Sequence, residues 1–186
     1  MIRPLASFTA TLEDAAQLVG ASLKGASLSF TGITHIDSEV EPGDLFIAVP
    51  GARVHGATFI DSAMKRGAVA VLTDEAGLAY FTGVPALVVG DVRTAGALLA
   101  ASLYRYPTRN LVSIGITGTN GKTTVSTLLY QIFEAVGRDT GFIGTVETRI
   151  GSEGLKSSRT TPEASDLQAL AAVMRERPMR HLVMEV

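Results

Sequence analysis

The sequence predicts an α/β fold with a mainly parallel sheet, and three observations carry that reading. Short apolar runs of strand length alternate with longer segments whose apolar residues recur at helical spacing, the pattern of successive βα units. A glycine-rich loop, Gly118-Thr119-Asn120-Gly121-Lys122-Thr123-Thr124, separates one such run from one such helix. Apolar residues make up 46% of the 186 and charged residues 18%, the balance of a chain that buries a core.

Taken in order, Thr11 to Val19 reads as an amphipathic helix. Thr11 supplies an N-cap, Glu13 and Asp14 lie in the first turn where the helix dipole favours acids, and Gly20 is the stop. Leu28 to Asp37 reads as extended, and Asp44 to Val49 as an apolar strand entered from the Pro42-Gly43 turn. Phe59 to Arg66 is predicted helical, Ala68 to Leu72 and Ala86 to Val89 as buried strands, and Val92 to Tyr106 as a long helix closed by Pro107. Leu111 to Ile116 reads as a short buried strand. From Lys122 onward Val125, Leu128, Leu129, Ile132, Phe133 and Val136 hold helical spacing, with Gly137 as the C-terminal stop. His181 to Val186 has the character of a buried strand with no helix to cover it.

Tyr106-Pro107-Thr108-Arg109-Asn110 is polar and contains proline, so the expected domain boundary falls near residue 108, giving domains 1–108 and 109–186. The second is short for an α/β nucleotide-binding domain and ends on a strand. It is expected to be the first part of an incomplete domain, as in a truncated chain.

A formal net charge of −2 gives no electrostatic reason to expect nucleic acid, and no Lys/Arg run suits an anionic membrane surface. The absence of cysteine excludes disulfides and thiolate chemistry, and no signal peptide is recognisable, so a cytoplasmic protein is expected. The longest apolar stretches, such as Ala95 to Leu103, are too short to span a bilayer. His35, His55 and His181 are scattered and lack carboxylate or cysteine partners at ligand spacing, which speaks against structural zinc. No nucleophile-elbow pattern accompanies the serines.

The chemistry therefore concentrates on residues 118–124. Gly118 and Gly121 let the backbone wrap a phosphate with its N–H groups, and the following helix aims its positive end at the same anion. Lys122 would reach the β- and γ-phosphates and the Thr123 hydroxyl would ligate Mg²⁺. The strict P-loop pattern has a further glycine where this chain has Ile116, but the Gly-Lys-Thr at the mouth of a helix is intact. An ordinary glycine-rich turn that binds nothing is the alternative, and the strand, loop and helix order favours the phosphate cradle.

Two further motifs join this loop: Thr160-Thr161-Pro162-Glu163 after it and Pro42-Gly43-Asp44-Leu45-Phe46-Ile47-Ala48 before it. Together the three resemble the Mur ligases, most closely their MurE branch, over nearly the whole chain. The resemblance implies an N-terminal α/β domain that grips the UDP of UDP-N-acetylmuramoyl-L-Ala-D-Glu, followed by the start of a P-loop ATPase domain. It implies an ATP-dependent amide ligase of peptidoglycan precursor synthesis, with ATP and Mg²⁺ as cofactors. ATP would phosphorylate the D-Glu γ-carboxylate, and the amine of a diamino acid would attack the resulting acyl phosphate. The 186 residues alone are expected to be inactive.

By the same resemblance Gly118, Thr119, Asn120, Gly121, Lys122, Thr123 and Thr124 hold ATP, Lys122 and Thr123 act in catalysis, and Thr123 and Glu185 take the metal. Ile36 and Ser38 match uridine contacts, and Ala52, Arg53 and Val54 match a loop that approaches the nucleotide. Arg159, Thr160 and Thr161 match the region that holds the muramoyl peptide. Thr160 and Thr161 could also cap a helix, since Pro162 would sit in its first turn and Glu163 lies at capping-box spacing from Thr160. The chain departs from the family at Glu39, where arginine is usual and where a carboxylate cannot reproduce an arginine's contacts. Arg159 likewise stands where relatives often have asparagine. A nucleotide-binding module without chemistry, a phosphoryl-transfer kinase, and a different Mur or folylpolyglutamate-type ligase are the competing functions.

Overall fold

The computed structural model describes residues 3–151, 153–156 and 161–186. They form two compact units, Ser7–Arg105 and Tyr106–Val186, the second including the residues that lead up to Ala6.

The first unit runs β1 (Ala10–Thr11), α1 (Leu12–Val19), β2 (Ser22–Lys24), β3 (Ser29–Phe30), β4 (Gly32–Thr34), β5 (Asp44–Ile47), α2 (Ile60–Lys65), β6 (Ala70–Thr73), β7 (Ala86–Val88) and α3 (Val92–Leu103). Its main sheet has the order β2-β7-β6-β5-β4, in which β4 to β7 are mutually parallel and β2 is antiparallel. Every residue of β5, β6 and β7 is buried, which explains why these strands read as continuous apolar runs rather than alternating ones. Leu12, Phe30, Ile33, Leu45, Phe46, Ile60, Leu72 and Leu87 are the largest side chains sealed in this unit.

Helix α1 begins and ends where the sequence placed it. The Thr11 hydroxyl oxygen accepts from the Asp14 amide at 3.1 Å, a cap typically worth about 1 kcal/mol. Gly20 closes the helix at φ 65°, a conformation that glycine reaches without strain. Two expectations need correction. The extended stretch predicted at Leu28 to Asp37 is broken into β3, β4 and a 3₁₀ turn at Asp37–Glu39. Helix α3 stops at Leu103 rather than Tyr106, because Arg105 and Tyr106 adopt φ 59° and 52°. Pro107 disfavours the helical conformation at the residue before it, and the Arg109 guanidinium lies 4.3 Å over the Tyr106 ring.

The second unit runs β8 (Val112–Ile116), α4 (Lys122–Ala135), β9 (Thr140–Ile143), β10 (Glu147–Ile150), β11 (Glu153–Lys156), α5 (Ala164–Glu176) and β12 (His181–Glu185). The sheet order is β11-β10-β9-β12-β8, with β8, β12 and β9 parallel and the β10–β11 hairpin antiparallel. Strand β12 therefore lies between β8 and β9, with Glu185 opposite Ile116 and Met184 opposite Ile143. Contrary to the sequence reading, helices cover it on both faces. Val183 packs with Tyr130 and Phe142 under α4, and Leu182 packs with Leu170, Val173 and Met174 of α5. Helix α5 approaches so closely that a Cβ on Gly141 would lie 2.5 Å from the Met174 side chain.

Strand β8 was expected to be buried and is not, for it forms the edge of the described sheet and Val112 is 60% exposed. The apolar residues of α4 likewise divide. Leu129 and Phe133 pack inward, whereas Val125, Leu128, Ile132 and Val136 are exposed. Among the described residues, no helix is long and apolar enough to cross a membrane.

Candidate functional site

In the second unit, β8 delivers the chain to Ile116, an irregular loop follows, and α4 starts at Lys122. Gly121 caps that helix at φ 81° and Gly118 turns the loop at φ 150°, both in the region that glycine enters freely. Gly121 supplies no side-chain cap and the first turn carries no acid of its own, so no residue of the helix start occupies its leading amides. Gly118, Thr119, Asn120, Gly121, Thr123 and Thr124 are exposed. The Lys122 ammonium folds back to donate to the Gly118 carbonyl at 2.6 Å.

Strand β12 brings Glu185 to the foot of this loop. Its side chain is 1% exposed, and its carboxylate is met by donors from two elements. The Thr123 hydroxyl reaches Oε2 at 3.2 Å, the Thr145 hydroxyl reaches Oε2 at 2.7 Å, and the Thr145 amide reaches Oε1 at 3.2 Å. The Ser126 hydroxyl lies 3.4 Å from Oε1 and 3.1 Å from the Thr123 carbonyl, sharing its one proton between them. Burial pushes the Glu185 carboxyl up, but the donors from Thr145, Thr123 and Ser126 outweigh it and hold the group below its usual range. A charged carboxylate thus stands beside the Thr123 hydroxyl.

The structure brings together Thr123 and Glu185, which the sequence reading named, and adds Thr145, Ser126 and Gly144, which it did not. A Cβ on Gly144 would lie 2.8 Å from both Glu185 Oε1 and the Phe142 ring, so this backbone position admits only glycine without displacement. The one signal available was a Gly-Thr pair directly after an apolar strand. Thr161 donates to the Glu185 carbonyl at 3.2 Å. The capping reading fails, because α5 begins at Ala164 with Glu163 at its N-cap, which leaves Pro162 outside the helix. Arg159 and Thr160 lie outside the described residues.

In the first unit the remaining candidates follow the carboxyl ends of two neighbouring parallel strands, where open α/β sheets bind ligands. After β4, the Ile36 amide donates to the Thr34 hydroxyl at 3.2 Å and opens the 3₁₀ turn, which carries exposed Ser38 and half-buried Glu39. The Ser62 hydroxyl of α2 donates to Asp37 at 2.6 Å and holds that turn. After β5, Pro50 and His55 bridge, and the Gly51 amide donates to the Val54 carbonyl at 3.2 Å. Ala52, Arg53 and Val54 stand exposed at the tip. The topology therefore sets the Ile36–Ser38 and Ala52–Val54 groups side by side on one sheet edge.

An open cleft of about 520 Å³ lies further along the same unit, lined by Gly20, Ser22, Asp74, Glu75, Ala76, Val88, Val89 and Gly90. Its two carboxylates repel a diphosphate, so an anionic nucleotide is better served by the tip that carries Arg53. His55, which the sequence left without a carboxylate partner, lies 3.0 Å from Asp74. Among the described residues no group of three or more His, Cys, Asp or Glu could hold a metal ion.

Comparison with known proteins bears on both units. The family model described as Mur ligase family, catalytic domain, matches residues 29–103, and the Mur ligase middle domain matches residues 116–186. A UDP-N-acetylmuramoyl-L-alanyl-D-glutamate--2,6-diaminopimelate ligase of Streptomyces coelicolor is 51% identical over 186 residues, covering 99% of this chain and 37% of that protein. Its counterpart in Streptomyces avermitilis is 52% identical, with the same coverage of both chains. The chain thus spans little more than a third of the length of these relatives. A solved structure of a UDP-N-acetylmuramoyl-L-alanyl-D-glutamate--2,6-diaminopimelate ligase superposes with a TM-score of 0.65 at 27% identity, covering 84% of this chain and 32% of that one.

Proposed function

Because the chain belongs to the Mur ligase family, we propose that it forms the nucleotide-binding part of an ATP-dependent ligase acting on UDP-N-acetylmuramoyl-L-Ala-D-Glu in peptidoglycan precursor synthesis. The amino acid joined is a diamino acid, and the names of the Streptomyces relatives favour 2,6-diaminopimelate. The carrying observation is the buried Glu185 carboxylate against the Thr123 hydroxyl at the foot of an open phosphate loop.

The residues have separable tasks. Amides of Gly118 to Thr124 and the α4 N-terminus cradle the phosphates of ATP, and Lys122 leaves the Gly118 carbonyl to contact the β- and γ-oxygens. Thr123 and Glu185 are hard oxygen donors and fit Mg²⁺, which takes few protein ligands and completes its shell with phosphate oxygens and water. When bound, that ion neutralises the charge that builds on the transferred phosphoryl group. Phosphorylation of the D-Glu γ-carboxylate leaves an acyl phosphate, which the diamino acid's amine opens to an amide with release of phosphate. Thr145 holds the Glu185 carboxylate, and Thr161 holds the backbone behind it. Ile36, Ser38, Ala52, Arg53 and Val54 take the UDP end of the substrate, and Arg159, Thr160 and Thr161 its muramoyl-peptide end.

The test is direct titration of the chain with Mg·ADP and a non-hydrolysable ATP analogue. Lys122→Ala is expected to weaken binding by roughly 10- to 100-fold, the value of one or two hydrogen bonds to a charged partner. Its stability should change little, since among the described residues the Lys122 ammonium is bonded to a loop carbonyl alone. A wild-type chain that ignores the nucleotide, or a variant that binds it as well as wild type, would refute the assignment.

A further inference from the structure

His55 forms the foot of the exposed tip and is bonded on every side. Its Nδ1 accepts the Ala57 amide at 3.0 Å, which places the ring proton on Nε2, and Nε2–H donates to Asp74 Oδ1 at 3.0 Å. The same Asp74 oxygen accepts the Gly77 amide at 2.9 Å, and the Tyr80 ring stacks on the imidazole at 5.6 Å with a 16° tilt. The Thr58 hydroxyl donates to the His55 carbonyl at 2.8 Å. Asp74 follows β6, so the pair ties the loop after β5 to the loop after the next strand. The hairpin has no slack, for a Cβ on Gly51 would lie 2.5 Å from the Val54 carbonyl and one on Gly56 2.7 Å from the Val49 amide.

A tip of three exposed residues carries little packing of its own. Any ligand that needs Ala52, Arg53 and Val54 in one arrangement must otherwise supply the free energy of ordering them. We propose that the His55–Asp74 pair is the positioning element of the Ala52–Val54 loop, fixing it in advance for the diphosphate and uracil of a uridine nucleotide. The proposal rests on the UDP reading of that loop given above. His55 itself is 13% exposed and turned to Asp74, so it acts through the loop and not on the ligand.

Two readouts on the whole chain test it: UDP affinity by calorimetry, and the rate of trypsin cleavage after Arg53 relative to other basic sites. In wild type, UDP binds and slows cleavage after Arg53. His55→Ala is expected to lower UDP affinity about 10-fold and speed that cleavage by a similar factor, since the loop's ordering is no longer prepaid. Asp74→Ala should do the same and guards against a His55 variant that does not fold. Asp74→Asn keeps an oxygen acceptor for both the imidazole and the Gly77 amide and should restore most of both values. Mg·ADP affinity, which belongs to the other unit, should stay at wild type throughout. Unchanged UDP binding in both alanine variants, or an Asn variant no better than Ala, would overturn the positioning role alone. A wild-type chain that does not bind UDP would overturn the UDP reading and this proposal with it.

Discussion

Glu185→Ala is expected to cost the second unit about 2–4 kcal/mol and to abolish the dependence of nucleotide affinity on Mg²⁺. The stability loss is bounded from two directions. Three direct donors lose a charged acceptor, and hydrogen bonds to charged groups are worth about 1.5–3 kcal/mol each. Against that sum stand the desolvation of a carboxylate that is 1% exposed and the ease with which Thr123 and Thr145, both exposed, turn to water. Glu185→Gln keeps the volume but offers one acceptor oxygen and adds a donor among donors, so about 1–2 kcal/mol is expected, with the same loss of metal dependence. Urea unfolding followed on the second unit gives the first quantity, and ADP titration with and without Mg²⁺ the second. An alanine variant with unchanged stability and an intact metal effect would show that the carboxylate is neither held nor used as described.

The largest steric effect is expected in the first unit, at Gly77→Ala. An added Cβ would lie 1.9 Å from the Thr73 hydroxyl oxygen and 3.0 Å from His55 Cε1, and Thr73 is completely buried. Neither neighbour yields cheaply, so a loss of about 3 kcal/mol or more is expected, at the upper end for overpacking. The objection is steric and not conformational, since φ at Gly77 is outside the left-handed region. That makes it reversible by design. The Thr73 hydroxyl has no hydrogen-bond partner among the described residues, so Thr73→Ala removes the clashing atoms without orphaning a donor or acceptor. The double variant should recover most of the loss, giving a strongly non-additive cycle in thermal unfolding. Additive effects would mean that the turn at Ala76–Tyr80 does not press on β6 as described.

These two positions show what was legible in the sequence and what was not. Local chemistry was readable. Thr11 and Gly20 bracket α1, Gly121 and Lys122 open α4, and Gly137 follows its last turn at φ 73°, each decided by residues within one turn of one another. The α/β class followed from runs whose periodicity is itself local. What escaped depends on partners far along the chain. Glu185 meets Thr145 forty residues away and Ser126 fifty-nine away, and no spacing rule links them. Periodicity identified Val112, Val125, Leu128 and Ile132 as apolar but could not say that β8 would be an edge strand and that these side chains would be exposed. The helix limit at Leu103 moved because Pro107 acts on the backbone before it more strongly than the apolar pattern suggested. The Gly77 contact was invisible too, since a glycine in a short turn announces neither crowding nor the strand beneath it.

The placement of β12 also sets an order of events during folding. β8 and β9 are not neighbours in the sheet, and both take their parallel partner from a strand that follows them by many residues. A parallel ladder of such sequence separation closes slowly, because loop-closure entropy is spent before any contact is returned. On the ribosome the loop at 118–124 would therefore emerge without the carboxylate that faces it. The cradle for phosphate would be completed only late, when residues 181–185 pair with β8 on one side and β9 on the other.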